Sequence, residues 1–409
     1  MKVYLDYSAT TPVNPMVYKA MEPYFTKIFG NPASLHNYGQ TAQAAVSQAR
    51  QTIADFFAAQ AKELVFTSGA TEADNLAING LIKGLLKQTP NLKPHIIVSS
   101  VEHEAVRQPC QQLVKEGVEV SWLPVDKKGL VDLVKLEKLI KSNTVLVSVI
   151  YVNSETGAKQ PIREIGQMIK KINRRRQEDW RKRGGLAGKQ SQTIYFHTDA
   201  TQAVNYFDCR VDYLHCDLLS FSGHKIYGPK GIGGLYVRSG TPLVSIQLGG
   251  HQELNRRSGT LNVPGIVGLA KAIELVSRHR EADSHKISIL RRRLVQGLTK
   301  SIPEIVLNTD ISNASPSHAH FSIMLAEGEA LLLALDLAGI AVSTGSACAA
   351  GSLEASATLA AMGVSQEVAH YSVRFTLGRQ TTAAEIDYVI KKLPPIVARL
   401  RRWAPDLTV

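Results

Sequence analysis

The sequence has 409 residues, of which 44% are hydrophobic, and this content excludes a disordered chain and indicates two domains rather than one. Its longest apolar segment, Val145 to Val152, is far shorter than the roughly 18 residues of a membrane span. The first residues have the features of neither a secretory signal nor a transit peptide, so we expect no membrane contact and a cytoplasmic location.

Most of the formal net charge of +12 comes from one short segment. Residues 170–192 hold nine Lys and Arg against Glu178 and Asp179, and so contribute +7. We interpret the stretch from Asn173 to Gln192 as a solvated surface loop, and residues 174–193 as a basic insertion. A charged run of this kind is usually exposed to solvent, so we expect no nucleic-acid partner.

Short apolar runs alternate with helical patterns from about residue 60 to 240, which predicts a parallel sheet covered by helices. The predicted strands are Leu64–Thr67, His95–Ser99, Val118–Leu123, Thr144–Val152, Ile194–Thr198, Leu218–Phe221 and Gly234–Val237. The predicted helices are Glu72–Leu86, Glu104–Lys115, Leu133–Ile140 and Ile162–Arg175. Ligands collect at the carboxyl ends of such strands, so functional residues are expected there.

After residue 262 the pattern changes to longer helices and fewer strands. Helices are predicted at Ile266–Arg280 and Ile287–Leu298, and strands at Ala319–Leu325 and Ser372–Thr376. We therefore expect a large α/β domain over residues 16–261. A smaller α+β domain would combine residues 1–15 with 262–409.

Polar residues follow the first two strands of this pattern. In FTSGATEADN, Ser68 to Thr71 lead into a helix, where free backbone N–H groups and the helix dipole can hold a phosphate. Ordinary helix capping explains the same residues. In SVEHEAV, His103 is either a stacking or proton-carrying group at a site or a capping residue on the surface.

The next two strands end in VNSETG and HTDATQA. The first carries Asn153 and Glu155, and the second carries Asp199 and Gln202. A carboxylate after a buried strand can pair with a cationic ring nitrogen of a cofactor. A helix N-cap role accounts for Asp199 equally well.

The segment SFSGHKIYGPKGIGGLYV gives the most specific signal. It places Lys225 at the end of a strand, where a lysine that forms a Schiff base with a carbonyl group would be held, next to Ser222 and His224. The Gly-rich run is not a P-loop, because it lacks the spacing G-x-x-x-x-G-K-[ST] and precedes a strand.

One of four scattered cysteines lies in an unusual setting. Cys348 is surrounded by small residues in VSTGSACAAGSL, which favours a mobile, accessible thiol. Cys110, Cys209 and Cys216 lie in ordinary patterned segments and are expected to be reduced core or surface residues. None of the four forms a C-x-x-C pair.

The segment SVRFTLGR holds two arginines with different settings. Arg374 lies in a strand-like alternation, and Arg379 follows a turn. A strand arginine that lines a cleft suits the carboxylate of an amino acid, while a surface salt bridge is the alternative interpretation.

Together these motifs resemble the cysteine desulfurases, which are class V aminotransferase-like enzymes of fold type I that depend on pyridoxal 5'-phosphate (PLP). The resemblance runs nearly end to end through YLDYSATTP, FGNPAS, FTSGATEADNLAI, EHEAV, HTDATQA, SFSGHKIYGPKGIGGLYV, RRSGTLNV, STGSAC and VRFTLGR. The stretch STGSACAAGSLEAS is similar to the nitrogen-fixation and housekeeping iron–sulfur type with a long cysteine loop. The resemblance to this family implies a large domain with a mostly parallel seven-stranded sheet.

The resemblance also implies a role for each motif residue. Lys225 would carry PLP covalently, His103 would stack on its ring and act as acid or base, and Cys348 would take up the sulfur. Substrate contacts would come from Asn31 and Arg374. The residues implied in cofactor binding are Ala70, Thr71, His103, Asn153, Asp199, Gln202, Ser222, His224, Lys225 and, from the other subunit of a homodimer, Thr260.

The implied reaction removes sulfur from L-cysteine, leaves L-alanine, and forms a persulfide on Cys348. An iron–sulfur scaffold or another acceptor protein would receive the sulfur for cluster assembly, and tRNA thiolation is a further route. No resident metal is implied, although Cys348 could contact an iron–sulfur cluster transiently. A selenocysteine lyase or another class V enzyme would keep Lys225 and Asp199, so Cys348 is the discriminating residue.

Overall fold

A computed structural model describes residues 1–182, 193–344 and 356–402. Its strands are β1 (Val3–Tyr4), β2 (Leu64–Thr67), β3 (His95–Ser99), β4 (Glu119–Leu123), β5 (Thr144–Ser148), β6 (Tyr195–Asp199), β7 (Leu218–Ser222), β8 (Gly233–Val237), β9 (Ile305–Leu307), β10 (His318–Ile323), β11 (Ile340–Ala341) and β12 (Ser372–Thr376). Its helices are α1 (Pro15–Met21), α2 (Pro23–Thr26), α3 (Asn37–Phe57), α4 (Ala70–Asn75), α5 (Leu81–Gln88), α6 (Glu104–Lys115), α7 (Leu133–Leu139), α8 (Ile162–Lys182), α9 (Val211–Leu214), α10 (Gln252–Asn255), α11 (Val263–Ser301), α12 (Gly328–Leu337), α13 (Ala357–Ala361), α14 (Gln366–His370) and α15 (Ala383–Arg401).

The larger sheet has seven strands in the order β2-β8-β7-β6-β5-β3-β4. Strand β8 runs antiparallel to both of its neighbours, and the other pairings are parallel. Strands β3, β5, β7 and β8 are buried along their whole length, as expected for a sheet with helices on both faces. This confirms the predicted α/β fold with a mostly parallel seven-stranded sheet.

A smaller antiparallel sheet has the order β12-β10-β9, and β1 pairs in parallel with β11 beside it. Helix α11 contributes its first half to the core under the large sheet and its second half to the core around the small sheet. The predicted domain boundaries, between residues 15 and 16 and between residues 261 and 262, stay a prediction. No helix in the described part of the chain is both long enough and apolar enough to cross a membrane.

Several predicted element boundaries are wrong. The helices Ile266–Arg280 and Ile287–Leu298 are one 39-residue helix, α11. The polar residues between them interrupt the apolar pattern but include no Gly or Pro to end a helix. The strand predicted to reach Val152 ends at Ser148. Beyond that point the backbone N–H of Ile150 donates to the side chain of Glu102 rather than to a neighbouring strand.

The basic segment is not a loop over its whole length, because α8 continues to Lys182. Asn173 holds this extension to the start of β6: its side chain donates to the Ile194 carbonyl at 2.8 Å and accepts from the Ile194 N–H at 2.9 Å. Arg176 donates to the Thr144 carbonyl at 3.0 Å. The rest of the predicted insertion, residues 183–192, lies outside the described residues.

These contacts make Asn173 a stabilising residue despite its charged surroundings. We expect Asn173→Ala to lower the free energy of unfolding by about 2 kcal/mol, because it removes two hydrogen bonds and leaves the Ile194 backbone unpaired. Denaturant titration measures the change, with the exposed neighbour Gln177→Ala as the control. Equal stability of the two variants would contradict this role.

Candidate active site

A cavity of about 700 Å³ opens at the carboxyl ends of β6 and β7. Its walls come from the ends of these strands, from the start of α4, from the N-terminal segment Ser8–Thr10, and from β12. This is the edge at which ligands bind in sheets of this type. The predicted site residues that line it are Ala70, Thr71, His103, Asp199, Gln202, Ser222, His224, Lys225 and Arg374.

Lys225 lies in a single 3₁₀ turn directly after β7. Its Nζ donates to the carbonyl oxygens of Ser8 and Ala9, each at 2.6 Å. The Asn205 side chain donates to the Lys225 carbonyl at 2.7 Å and fixes the backbone of the turn. The amine therefore points toward the N-terminal segment, at the edge of the cavity.

The Gly-rich run after Lys225 serves close packing. A Cβ at Gly233 would lie 2.6 Å from the Phe221 carbonyl oxygen and 2.8 Å from Gly69 Cα. Only glycine lets β8 approach both β7 and the turn before α4 at this distance. This packing brings the start of α4 beside the end of β7.

The start of α4 and the end of β7 leave polar groups available to an anion. Gly69, the residue before α4, offers no side-chain cap, and the buried Ser222 hydroxyl has no hydrogen-bond partner among the described residues. His224 Nδ1 lies 3.1 Å from the Thr10 hydroxyl. Burial, followed by the charges of Lys225 and Lys230, lowers the pKa of His224 to about 4. A phosphate would meet a helix N-terminus, a hydroxyl and two lysines here.

Asp199 is the last residue of β6, and Gln202 lies three residues after it. Asp199 is only 4% exposed, and its Oδ1 accepts from the Thr201 N–H at 2.8 Å. Gln202 Nε2 donates to the carbonyl and hydroxyl oxygens of Ser8, at 2.9 and 3.0 Å. The carboxylate thus faces the cavity from the sheet, while the amide binds the N-terminal segment.

His103 combines the two roles considered from the sequence. Its Nδ1 accepts from the Ala105 N–H at 3.1 Å and caps α6, and its side chain also lines the cavity. The cap fixes the ring in place, so one side chain both begins a helix and forms part of the wall.

Arg374 enters from β12 and is 5% exposed. Its guanidinium donates to Asp6 Oδ1 and to the Ser154 carbonyl, each at 2.9 Å. Its Nε has no partner among the described residues, so this N–H is available to a further anion. Arg379 lies elsewhere and pairs with Asp283 at 2.7 Å, so the salt-bridge interpretation holds for that arginine.

Asn153 is buried beneath the cavity rather than in its wall. Its amide donates to the Val101 carbonyl and to the Thr358 hydroxyl, and its oxygen accepts from the backbone N–H groups of Glu155 and Thr156. These contacts stabilise the turn that presents Ser154. Direct contact between Asn153 and a cofactor stays a prediction.

Cys348 lies outside the described residues, but both flanks of its segment are next to the cavity. The backbone of Ser343 pairs with that of Arg374, with N···O distances of 3.2 and 2.7 Å. On the other side, the Ser356 hydroxyl donates to the half-buried carboxyl group of Glu155. Ser343 and Ser356, which lie on either side of the segment that contains Cys348, are therefore both close to the site. Cys110, Cys209 and Cys216 are buried, as expected for core residues.

Asn31 and Thr260 do not line this cavity. Both are exposed and line a second cavity of about 670 Å³ together with Arg50, Glu253 and Leu254. Within one chain, the structure does not bring Asn31 to Arg374. Their implied roles stay predictions.

Several wall residues were not singled out from the sequence: Ser8, Ala9, Thr10, Asp74, Ser154 and Thr201. One signal for Asp74 was available. It follows Ala70 by four residues, so the two share a helix face if the helix begins at Ala70. Ser8 to Thr10 come from the far end of the sequence, and local pattern gives no indication of their position.

A buried carboxyl group, Glu102, supports the site from behind. Its Oε1 accepts from the Ser99 hydroxyl and the Ile150 N–H, while Oε2 has no partner among the described residues. Burial raises the pKa of Glu102 to about 8 against the pull of these hydrogen bonds. The group is therefore neutral below that pH.

The comparisons with known proteins agree with this arrangement. The model of the family described as aminotransferase class-V matches residues 3–175 and 185–389, and its interruption falls in the basic segment. Cysteine desulfurase IscS of Dictyoglomus turgidum is 43% identical over 99% of this chain and 96% of its own length. Human cysteine desulfurase is 43% identical over 98% of this chain and 83% of its own length.

Solved structures show the same fold. A NifS-like protein superposes with a TM-score of 0.87 at 32% identity and covers 98% of this chain and 100% of its own. SspA in complex with cysteine superposes with a TM-score of 0.77 at 34% identity. The match covers 93% of this chain and 100% of the SspA chain.

The raised pKa of Glu102 makes stability depend on pH. Between about pH 4.5 and 8 the folded protein holds a proton that the unfolded chain has lost, so the free energy of unfolding falls as pH rises. Glu102→Gln keeps the acceptor oxygen but does not titrate. We therefore expect the slope of the free energy of unfolding against pH to become less negative by up to about 1.4 kcal/mol per pH unit. Denaturant unfolding from pH 5 to 8 measures this. The exposed Glu137→Gln is the control, and a parallel fall in both variants would contradict the assignment.

Proposed function

Because this chain belongs to the class V aminotransferase family and, within it, to the cysteine desulfurases, we propose that the cavity at Lys225 removes sulfur from L-cysteine. The enzyme depends on PLP. One observation supports this use of the cavity above the others. The amine of Lys225 and the carboxylate of Asp199 stand in one cavity, at the ends of adjacent strands, next to a helix N-terminus without a side-chain cap.

The residues present fit PLP. The backbone N–H groups at Ala70 and Thr71, the unpartnered Ser222 hydroxyl and His224 would hold the phosphate. Lys225 Nζ would hold the aldehyde carbon covalently, and Thr260 would complete the phosphate site from a second subunit. Gln202 would contact the phenolic oxygen and Asn153 would stabilise the wall.

PLP supplies a ring that takes up the electron pair left when the Cα–H bond of an amino acid breaks. Asp199 would hold the proton on the ring nitrogen, since a carboxylate in a buried site favours the cationic ring. Lys225 Nζ would move the proton at Cα, and His103 would stack on the ring and supply or take up a proton. Each role needs only groups that already line the cavity.

Arg374 would hold the substrate carboxylate, with Asn31 as a second contact. Two of the Arg374 donors are used by Asp6 and the Ser154 carbonyl, and the unpartnered Nε is available. An arginine that is already oriented by two acceptors loses little freedom on binding a third. The Cys348 thiolate would then attack the substrate sulfur; the C–S bond breaks, an S–S bond forms, and alanine leaves after protonation.

The partners of the enzyme are inferred from several features. Relatives named IscS support a role in iron–sulfur cluster assembly, with a scaffold or other acceptor protein taking the persulfide sulfur. A homodimer is supported by Leu254, which is 64% exposed and lines the same cavity as Thr260. A cytoplasmic location remains part of the proposal.

Removal of the Lys225 amine tests the proposal at its root. We expect Lys225→Ala to lose the visible absorbance of bound PLP and the release of both alanine and sulfide. Borohydride reduction followed by peptide mass mapping should place the cofactor on Lys225 in the wild-type protein. The control variant Lys170→Ala, which changes an exposed lysine, should keep the absorbance and the product release of the wild type. A colourless wild type, or a label on another lysine, would refute the assignment.

Removal of the Cys348 thiol separates cofactor chemistry from sulfur transfer. We expect Cys348→Ala to keep the absorbance of bound PLP and to lose sulfide release by about a hundredfold or more, because the acceptor of the sulfur atom is gone. Cys216→Ala, which removes a buried thiol, is the matched control. Normal desulfuration by Cys348→Ala would exclude the persulfide role, and turnover of selenocysteine alone would favour a lyase.

A further inference from the structure

Glu72 is a carboxylate in the wall of the active-site cavity with no role assigned so far. It lies in the first turn of α4, next to Thr71, which the proposed function assigns to the cofactor phosphate. Its Oε2 accepts from the backbone N–H of Ser68 at 2.7 Å. A phosphate is itself negatively charged, so an uncompensated carboxylate at this place would repel it.

Arg257 supplies the compensating charge. Its Nε lies 2.8 Å from Glu72 Oε1 and its Nη2 lies 3.3 Å from Oε2, so one guanidinium meets both oxygens of the carboxylate. Only 20% of the Arg257 side chain and 16% of the Glu72 side chain are exposed, so water screens the pair weakly. Burial alone raises the pKa of Glu72, but the hydrogen bonds from Arg257 and Ser68 outweigh it and hold the pKa below its ordinary value. The carboxylate is therefore ionised at neutral pH.

Arg257 comes from a loop that is distant from α4 in the sequence and is held together by its own hydrogen bonds. The Ser258 hydroxyl donates to the Gly250 carbonyl at 2.7 Å, and the Gln247 side chain donates to the Ser258 carbonyl at 2.9 Å. An arginine carried by such a closed loop loses little conformational freedom when it pairs with Glu72. Arg257 is not one of the residues that line the cavity, so it meets the carboxylate from behind the wall.

We propose that Arg257 is a positioning residue for the cofactor phosphate: it neutralises Glu72, which can then hold Ser68 without repelling the phosphate. Glu72 fixes the turn before α4 through the Ser68 N–H, and Arg257 cancels the charge that this contact brings into the wall. The phosphate then meets donors such as the Ser222 hydroxyl and Lys230 rather than an uncompensated carboxylate. The inference rests on the proposed function and adds a residue pair to it.

Substitutions at the two positions separate charge compensation from a purely structural clamp. We expect Arg257→Gln to raise the PLP dissociation constant about tenfold, because Glu72 then stands uncompensated beside the phosphate. Glu72→Gln keeps an acceptor oxygen for Ser68 and leaves Arg257 positive, so its constant should be at most about twofold above that of the wild type. The double variant Glu72→Gln, Arg257→Gln should return to within about threefold of the wild type. A clamp would instead weaken PLP binding in all of these variants.

Serial dilution of each holoenzyme, followed through the visible absorbance of bound PLP, measures these constants. Arg238→Gln is the matched control, because Arg238 pairs with Asp217 at 2.8 Å at the other end of β7 from Ser222, and this variant should bind PLP as the wild type does. Arg257→Lys keeps the charge without the two paired donors, so it should stay within about threefold of the wild type.

Three results would overturn the proposal: Arg257→Gln binding PLP like the wild type, Glu72→Gln binding as weakly as Arg257→Gln, or a double variant no tighter than Arg257→Gln. If Arg257→Gln does not fold, a tenfold loss of affinity in Arg257→Lys or in Glu72→Gln would equally overturn it. Failure of the wild type to bind PLP would refute the proposed function, whereas normal wild-type binding with any of these results would refute only the role of Arg257.

Discussion

The N-terminal segment joins the two sheets through the amine of Lys225. Residues Val3 and Tyr4 pair with β11 beside the small sheet, and Asp6 pairs with Arg374 from β12. A few residues later, the carbonyls of Ser8 and Ala9 accept from Lys225 at the end of a strand in the large sheet. Backbone carbonyls that leave water must find donors, so these contacts fix where the two parts of the molecule meet. The cavity is the space enclosed at that junction.

Burial sorts the titratable groups around this cavity into charged and neutral ones. Burial raises the pKa of Asp74 in the wall and of Glu102 behind it, and it lowers the pKa of His197, which is also behind the wall. Lys225, Asp199 and Arg374 are among the charged groups that line the cavity, together with Glu72 and Lys230. Charges act over longer range where water is excluded, so their placement controls which groups a ligand meets.

The large hydrophobic core provides the rigidity that this arrangement needs. Strands β5 and β7 of the seven-stranded sheet are buried over their full length, and α11 extends from this core into the one around the small sheet. One continuous helix therefore links the packing of both parts. A break at residues 281–286, as the apolar pattern predicted, would have left the small sheet without this connection.

The amino-acid sequence was sufficient to predict the seven strands of the large sheet in chain order, the strand-end positions of Asp199 and Lys225, and the family. These depend on local periodicity and on motifs taken in order. It did not determine the path of α8 beyond Arg175, since Asn173 and Arg176 fold that basic stretch onto Ile194 and Thr144, which are distant in sequence. Nor did it indicate that Ser8 and Ala9 line the cavity with Lys225. Those positions are decided by tertiary contacts across up to 217 residues of chain, and no local pattern encodes them.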